Sequence, residues 1–265
     1  MKRQDEEQGS MQHSEPSRDR RADPAEVARF DRLARDWWDP QGPMKPLHRM
    51  NPMRLAFVRD EACARFGRDP RAEAPLDGLT VLDVGCGAGM LAEPLARLGA
   101  TVKGIDPAPA NIAVARGHAA AGGLAIAYTD EAVEDVGERF DIVTAMEVVE
   151  HVPSVPRFVQ GCCDAVKPGG LLVMATLNRT MKSFALAIVG AEYVLRWLPR
   201  GTHDWNRFVT PAELTRAIDQ AGLAVDARTG VAFDPLADRW RLSADMAVNY
   251  MLTAVRGGSR SVRSA

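Results

Sequence analysis

Val81-Leu82-Asp83-Val84-Gly85-Cys86-Gly87-Ala88-Gly89 decides the architecture. An apolar run too short for a helix enters three alternating glycines, and a helical pattern follows at Met90–Leu98. That is a buried strand, a tight turn and a helix, the opening unit of an open α/β sheet. Glycine at 85, 87 and 89 permits positive φ and lets a ligand lie against bare backbone. The spacing is G-x-G-x-G, not the G-x-G-x-x-G that reads a dinucleotide pyrophosphate. Asp83 sits where a phosphate would be repelled but an amino group is tolerated. The next strand, Thr101–Asp106, ends on a carboxylate able to accept from both hydroxyls of a ribose. Asp83, Gly85, Gly87 and Asp106 together suggest an adenosyl ligand without a pyrophosphate, which points to S-adenosylmethionine.

Working outward, strand and helix alternate. Pro109–Ala121 reads as a helix, Leu124–Thr129 and Phe140–Met146 as strands, Val155–Val166 as a helix stopped by Lys167-Pro168-Gly169-Gly170, and Leu171–Leu177 as a fifth strand. Short connections between such elements predict a doubly wound, mostly parallel sheet with helices on both faces. Pro211–Ala221 reads as a further helix, and Ala224–Thr229 with Ala247–Ala254 as a closing pair of strands. Upstream, Val27–Ala34 has helical spacing, residues 42–49 read as loop, and Asn51-Pro52 reads as the cap of a helix over Met53–Arg65.

The 265 residues carry 33 basic and 35 acidic side chains, a net charge of −2, which argues against nucleic-acid binding by bulk charge. Met1–Pro24 is too polar to offset the entropy of ordering and is expected to be a disordered tail. One domain is expected over residues 25–255, with a frayed end at 256–265. Cys63, Cys86, Cys162 and Cys163 show neither a disulfide nor a metal-ligand spacing, as in a reducing compartment.

The end of the fourth strand concentrates chemistry. Met146 places an apolar side chain near an adenine, and Glu147, Glu150 and His151 follow within five residues. Two carboxylates and an imidazole suit one divalent cation, Mg²⁺ more than Zn²⁺, which would acidify a coordinated phenol. Alternatively His151 is itself the general base, with Glu150 beside it. After the fifth strand an insert over about 179–210 carries an apolar arc (Phe184, Ile188, Ala191, Leu195, Leu198) flanked by Arg179, Lys182, Arg196 and Arg200. A helix over 182–200 of that kind suits an anionic membrane surface or the wall of a hydrophobic tunnel.

Several longer blocks are more restrictive: Trp37-Trp38-Asp39-Pro40, Lys45-Pro46-Leu47-His48-Arg49-Met50-Asn51-Pro52-Met53-Arg54, Met146 to Pro153, Val189-Gly190-Ala191-Glu192-Tyr193 and Gly201-Thr202-His203-Asp204-Trp205. On these the chain resembles the ubiquinone-biosynthesis O-methyltransferases, within the class I, seven-stranded S-adenosylmethionine-dependent methyltransferases. The resemblance implies methyl transfer to phenolic hydroxyls of polyprenyl catechol and demethylubiquinol intermediates. It implies cofactor contacts at Arg54, Gly85, Asp106 and Met146, Arg54 facing the methionine carboxylate, and a metal site at Glu147, Glu150 and His151. It also implies a cytoplasmic protein peripherally attached to the inner face of the membrane, with other quinone-biosynthesis enzymes as partners. Ala88 stands where relatives often have glycine. Rival readings are an NAD-dependent oxidoreductase, a non-catalytic lipid-binding scaffold, and an O-methyltransferase of another small phenol.

Overall fold

The computed structural model describes residues 23–185, 204–234 and 237–257. Strand β1 (Thr80–Val84) runs through the glycine turn to α3 (Ala92–Arg97), β2 (Thr101–Ile105), α4 (Pro109–Ala121), β3 (Ala127–Thr129) and β4 (Phe140–Met146). Helix α5 (Val155–Asp164), β5 (Val166–Leu177), the single turn α6 (Met181–Ser183) and α7 (Pro211–Gln220) follow. Strands β6 (Leu223–Asp234), β7 (Arg239–Ser243) and β8 (Asn249–Arg256) close the chain. Ahead of the sheet lie α1 (Pro24–Leu33) and α2 (Lys45–Phe66).

The sheet has eight strands in the order β3-β2-β1-β4-β5-β8-β6-β7. The first five are parallel; β8 is antiparallel to both β5 and β6, and β7 to β6. The expected seven strands therefore gain an eighth. β7 is a short edge strand whose Arg239 and Arg241 are exposed, so it lacks the apolar alternation that marks the others.

The pleat sorts the core. Val81, Ile142, Leu171, Val173 and Ala175 pack on the face covered by α2, α3 and α4. Leu82, Val84, Val143, Ala145, Leu172 and Met174 pack on the other face, against α5 and α7. Both faces are apolar because helices cover both, so the strands read as continuous apolar runs rather than alternating ones. All four cysteines are free and buried in these layers.

Several further expectations are corrected. Helix α2 begins at Lys45, not Met53: Pro46 occupies its first turn, and Pro52 lies inside it, where its missing N–H costs one helical bond. Asn51 does not cap; its Nδ2 donates to Met90 O at 2.7 Å and ties the helix to the glycine turn. Strand β5 begins at Val166, before the Lys-Pro-Gly-Gly turn: Val166 pairs with Phe140, residues 167–170 bulge out, and pairing resumes at Leu171 with Ile142. The expected tail overlaps α1, since Asp23 accepts from Ala25 N and Pro24 opens the helix. Likewise Arg256, expected to fray, ends β8 and donates to Cys163 O at 2.5 Å. Residues 1–22 and 258–265, and the 186–203 part of the insert, lie outside the described residues.

Candidate active site

β1 and β4 are neighbours, and the chain leaves them toward opposite sides of the sheet. The crevice outside their carboxyl ends is where open α/β sheets bind ligands. Gly85, Gly87 and Gly89 all have positive φ, at 67°, 54° and 88°. Space reinforces the requirement. A Cβ on Gly85 would come within 2.4 Å of Val148 Cγ2, and one on Gly87 within 2.4 Å of Trp37 Cη2.

Asp106 lies one residue beyond β2 and braces this turn. Its Oδ2 accepts from Gly87 N at 2.9 Å; Oδ1 accepts from Ala108 N at 2.9 Å and Asn111 Nδ2 at 3.2 Å. Burial raises its pKa against these donors, which lower it. A cavity of about 70 Å³ opens beside it, lined by Val84, Gly85, Pro107 and Val148 and also by the charged Glu131, Glu134 and Arg157. Ordinary ligand sites span several hundred Å³. Val148 and Trp37 stand over Gly85 and Gly87, so a ligand on this turn packs against both side chains.

Asp83 is level with Thr144 across the β1–β4 ladder and accepts from its Oγ1 at 2.7 Å. Burial pushes its carboxyl up to about 7, with Asp106 adding to the rise and Thr144 and Arg54 opposing it. The unfolded chain ionises this group near 4, so its folded-state contribution is present below that pH and is lost as pH rises through about 7. Asp83→Asn is therefore expected to gain stability relative to the parent from pH 4 to pH 8, by about 4 kcal/mol at most. Parallel thermal melts across that range check this; a constant difference would show that Asp83 does not titrate as placed.

Arg54 comes from the middle of α2 and is 6% exposed. Its Nη2 is 2.8 Å from Glu147 Oε1, which also accepts from Asn249 Nδ2 at 3.0 Å. The guanidinium contact is an ion pair without hydrogen-bond alignment, leaving Nη2 with no hydrogen-bond partner among the described residues. Glu147 holds a left-handed φ of 58°, a costly backbone state for a residue with a side chain, just past the end of β4. Met146, half-buried, ends that strand and packs against the core on the α2 side.

Glu150 does not stand at the mouth of the crevice. It is 3% exposed, accepts from Thr176 Oγ1 at 2.8 Å, and its pKa is raised well above the usual carboxylate range by burial and by neighbouring Glu147. His151 faces another way: Nδ1 lies 3.1 Å from Glu26 Oε2 on α1, and Phe30 meets the ring edge-on at 5.4 Å. The imidazole is the largest influence holding Glu26 below its ordinary pKa. The metal reading is thereby corrected. Glu147 is committed to Arg54, Glu150 is buried against Thr176 and Glu147, and His151 pairs with Glu26. Among the described residues no three His, Cys, Asp or Glu side chains are placed to share an ion.

Sequence reasoning missed Glu26 and Trp37 as members of the site. Trp37-Trp38 was visible as a block, but its contact with Gly87 spans fifty positions and has no local signal. Glu26 sits on a helix with no fully buried residue.

The sheet order, glycine turn and acidic β2 end define a class I S-adenosylmethionine-dependent methyltransferase, and a family model for the methyltransferase domain matches residues 54–228. Magnesium protoporphyrin IX methyltransferase from Synechocystis PCC 6803, solved with bound S-adenosylhomocysteine, shares the fold at a TM-score of 0.60 and 21% identity, over 87% of this chain and 95% of that one. The chain is 63% identical over 234 residues to the ubiquinone biosynthesis O-methyltransferase of Methylobacterium nodulans, spanning 87% of this chain and 94% of the relative. It is 58% identical over 234 residues to that of a Rhodopseudomonas palustris strain, spanning 88% and 92%. The chain belongs to the ubiquinone biosynthesis O-methyltransferases.

Proposed function

We propose that this enzyme methylates phenolic hydroxyls of polyprenylated catechol and demethylubiquinol intermediates. The observation that carries this reading is the 63% identity across 94% of a relative with that family's name. S-Adenosylmethionine supplies an electrophilic methyl; the substrate oxygen bonds to that carbon in line as the carbon–sulfur pair returns to sulfur. The chain's own residues bind and align. Arg54 Nη2 donates to the cofactor carboxylate, a charge-assisted contact. Asp106 accepts from the ribose with the lone pair on Oδ2 that Gly87 N leaves. Gly85 and Gly87 admit the nucleoside to bare backbone, and Met146 flanks the adenine.

His151 takes the phenolic proton. With Nδ1 facing the Glu26 carboxylate, the basic nitrogen is Nε2. Glu150, buried, ties the turn after β4 to β5 behind the site through Thr176 rather than touching substrate. Since the three acid and imidazole side chains do not fit a shared ion, no step is assigned to Mg²⁺.

A long isoprenoid is dissolved in membrane, and no described helix is long and apolar enough to cross one. The insert over 182–200 is the segment we assign to the anionic inner surface, where other quinone-biosynthesis enzymes would supply substrate. Exposed Met181 and Phe184, with Lys182 between them, support that assignment at its described end. Labelled methyl transfer to a short-chain polyprenyl catechol is expected, as is co-sedimentation with anionic vesicles but not neutral ones. Vesicle binding without methyl transfer would favour the scaffold reading instead.

A further inference from the structure

We propose that Trp37 is a cofactor-binding residue whose indole N–H donates to the carboxylate on the cofactor's amino-acid tail; this rests on the reading of the crevice as the S-adenosylmethionine site. The indole lies on the middle glycine of the turn, with Cη2, Cζ2 and Cζ3 all within 2.8 Å of where a Gly87 Cβ would stand. Any ligand seated on that backbone must displace this ring or pack against it. Trp37 is 8% exposed, and its Nε1 has no hydrogen-bond partner among the described residues. A buried donor left unpaired is costly and uncommon, and indole can only donate. Arg54 Nη2, also buried, meets Glu147 Oε1 at 2.8 Å as an ion pair and makes no hydrogen bond among the described residues. An unpaired buried indole donor over a bare-backbone turn, with a buried guanidinium also contributed from ahead of the sheet, suits an anionic group on the ligand that the turn would seat. The only such group on this cofactor is its carboxylate.

The neighbours hold the ring there. Trp37 O is 2.8 Å from His48 Nε2, and Trp38 Nε1 donates to Ala88 O at 3.1 Å, inside the glycine turn. The Trp38 ring stacks on His118 at 3.6 Å and 3°, and His118 Nδ1 meets buried Glu93 at 2.6 Å. Trp38 thus anchors the segment to α4 and the turn, and Trp37 is the member left facing Gly87. None of this segment falls within the 54–228 methyltransferase match, so the site borrows a residue from outside the common domain.

Trp37→Phe keeps an aromatic ring but removes the N–H together with the rest of the fused five-membered ring, so a ligand without the amino-acid tail is the control for lost packing. Calorimetry with S-adenosylhomocysteine is expected to show affinity reduced about tenfold or more, the scale of a hydrogen bond to a charged group. Affinity for 5′-methylthioadenosine, which lacks the amino-acid tail, is expected to stay within twofold. Trp37→Ala is expected to weaken both, because it also uncovers the turn. Equal losses for both ligands in Trp37→Phe, or no loss for either, would overturn the assignment. If the parent enzyme bound neither ligand, the cofactor reading itself would fail, a separate outcome.

Discussion

His151→Ala is expected to lower kcat by two to three orders of magnitude while the affinity for S-adenosylhomocysteine stays within about twofold. General-base catalysis contributes roughly 10²- to 10⁴-fold, and a phenol is acidic enough that hydroxide partly replaces the lost base. The loss should therefore shrink as pH rises toward the phenol's own ionisation, since a phenolate needs no base. His151 also packs on Phe30 and pairs with Glu26, so alanine loosens α1 as well as removing the base. His151→Gln separates these effects: it retains a polar group against Glu26 but accepts no proton. Both variants slow at neutral pH and recovering at high pH would support the base. Normal turnover in either would remove His151 from the chemistry, and loss of S-adenosylhomocysteine binding would make it a cofactor-site residue.

How much of this was legible in the sequence differs by element. Pro109–Ala121 and Phe140–Met146 have the bounds their patterns indicate, because each is a single amphipathic or apolar run with clear punctuation. The glycine turn was legible because three positive-φ positions leave a compositional trace. Proline misled twice, since it signals a boundary without saying whether the chain ends there. Pro52 fits a helix start but lies mid-helix, and Pro168 sits in a bulge that a strand resumes beyond. β7 was missed because an exposed edge strand buries too little to show a pattern. Within the site, each acid could be placed at a strand end, but not aimed. Whether Glu147, Glu150 and His151 converge depends on the left-handed turn at Glu147 and on partners at Arg54, Thr176 and Glu26, each distant in sequence. Spacing of three or four residues indicated a cluster; Glu147 and Glu150 do meet, while His151 turns to Glu26.

Asp106→Ala is expected to weaken S-adenosylhomocysteine binding by about tenfold to a hundredfold and to lower Tm on the order of 10 °C. Two effects combine, and their sizes can be separated. In the free enzyme the carboxylate satisfies the N–H groups of Gly87 and Ala108, and alanine orphans both within a buried turn. At about 1–3 kcal/mol for each unpaired group, and 2–4 °C per kcal/mol in a domain of this size, the thermal shift follows. In the complex the same carboxylate accepts from the ribose through the one lone-pair site its three donors leave, and losing that bond to a charged acceptor costs about 1.5–3 kcal/mol, which is the tenfold to hundredfold. Asp106→Asn divides these contributions. Its remaining oxygen can still brace Ala108, so Tm should recover part of the loss. Its amide nitrogen cannot accept, so affinity should remain well below the parent's. Calorimetry carried out well below each variant's Tm reads binding by the folded form. A fall in Tm with affinity unchanged within threefold would leave Asp106 as a brace for the glycine turn and nothing more.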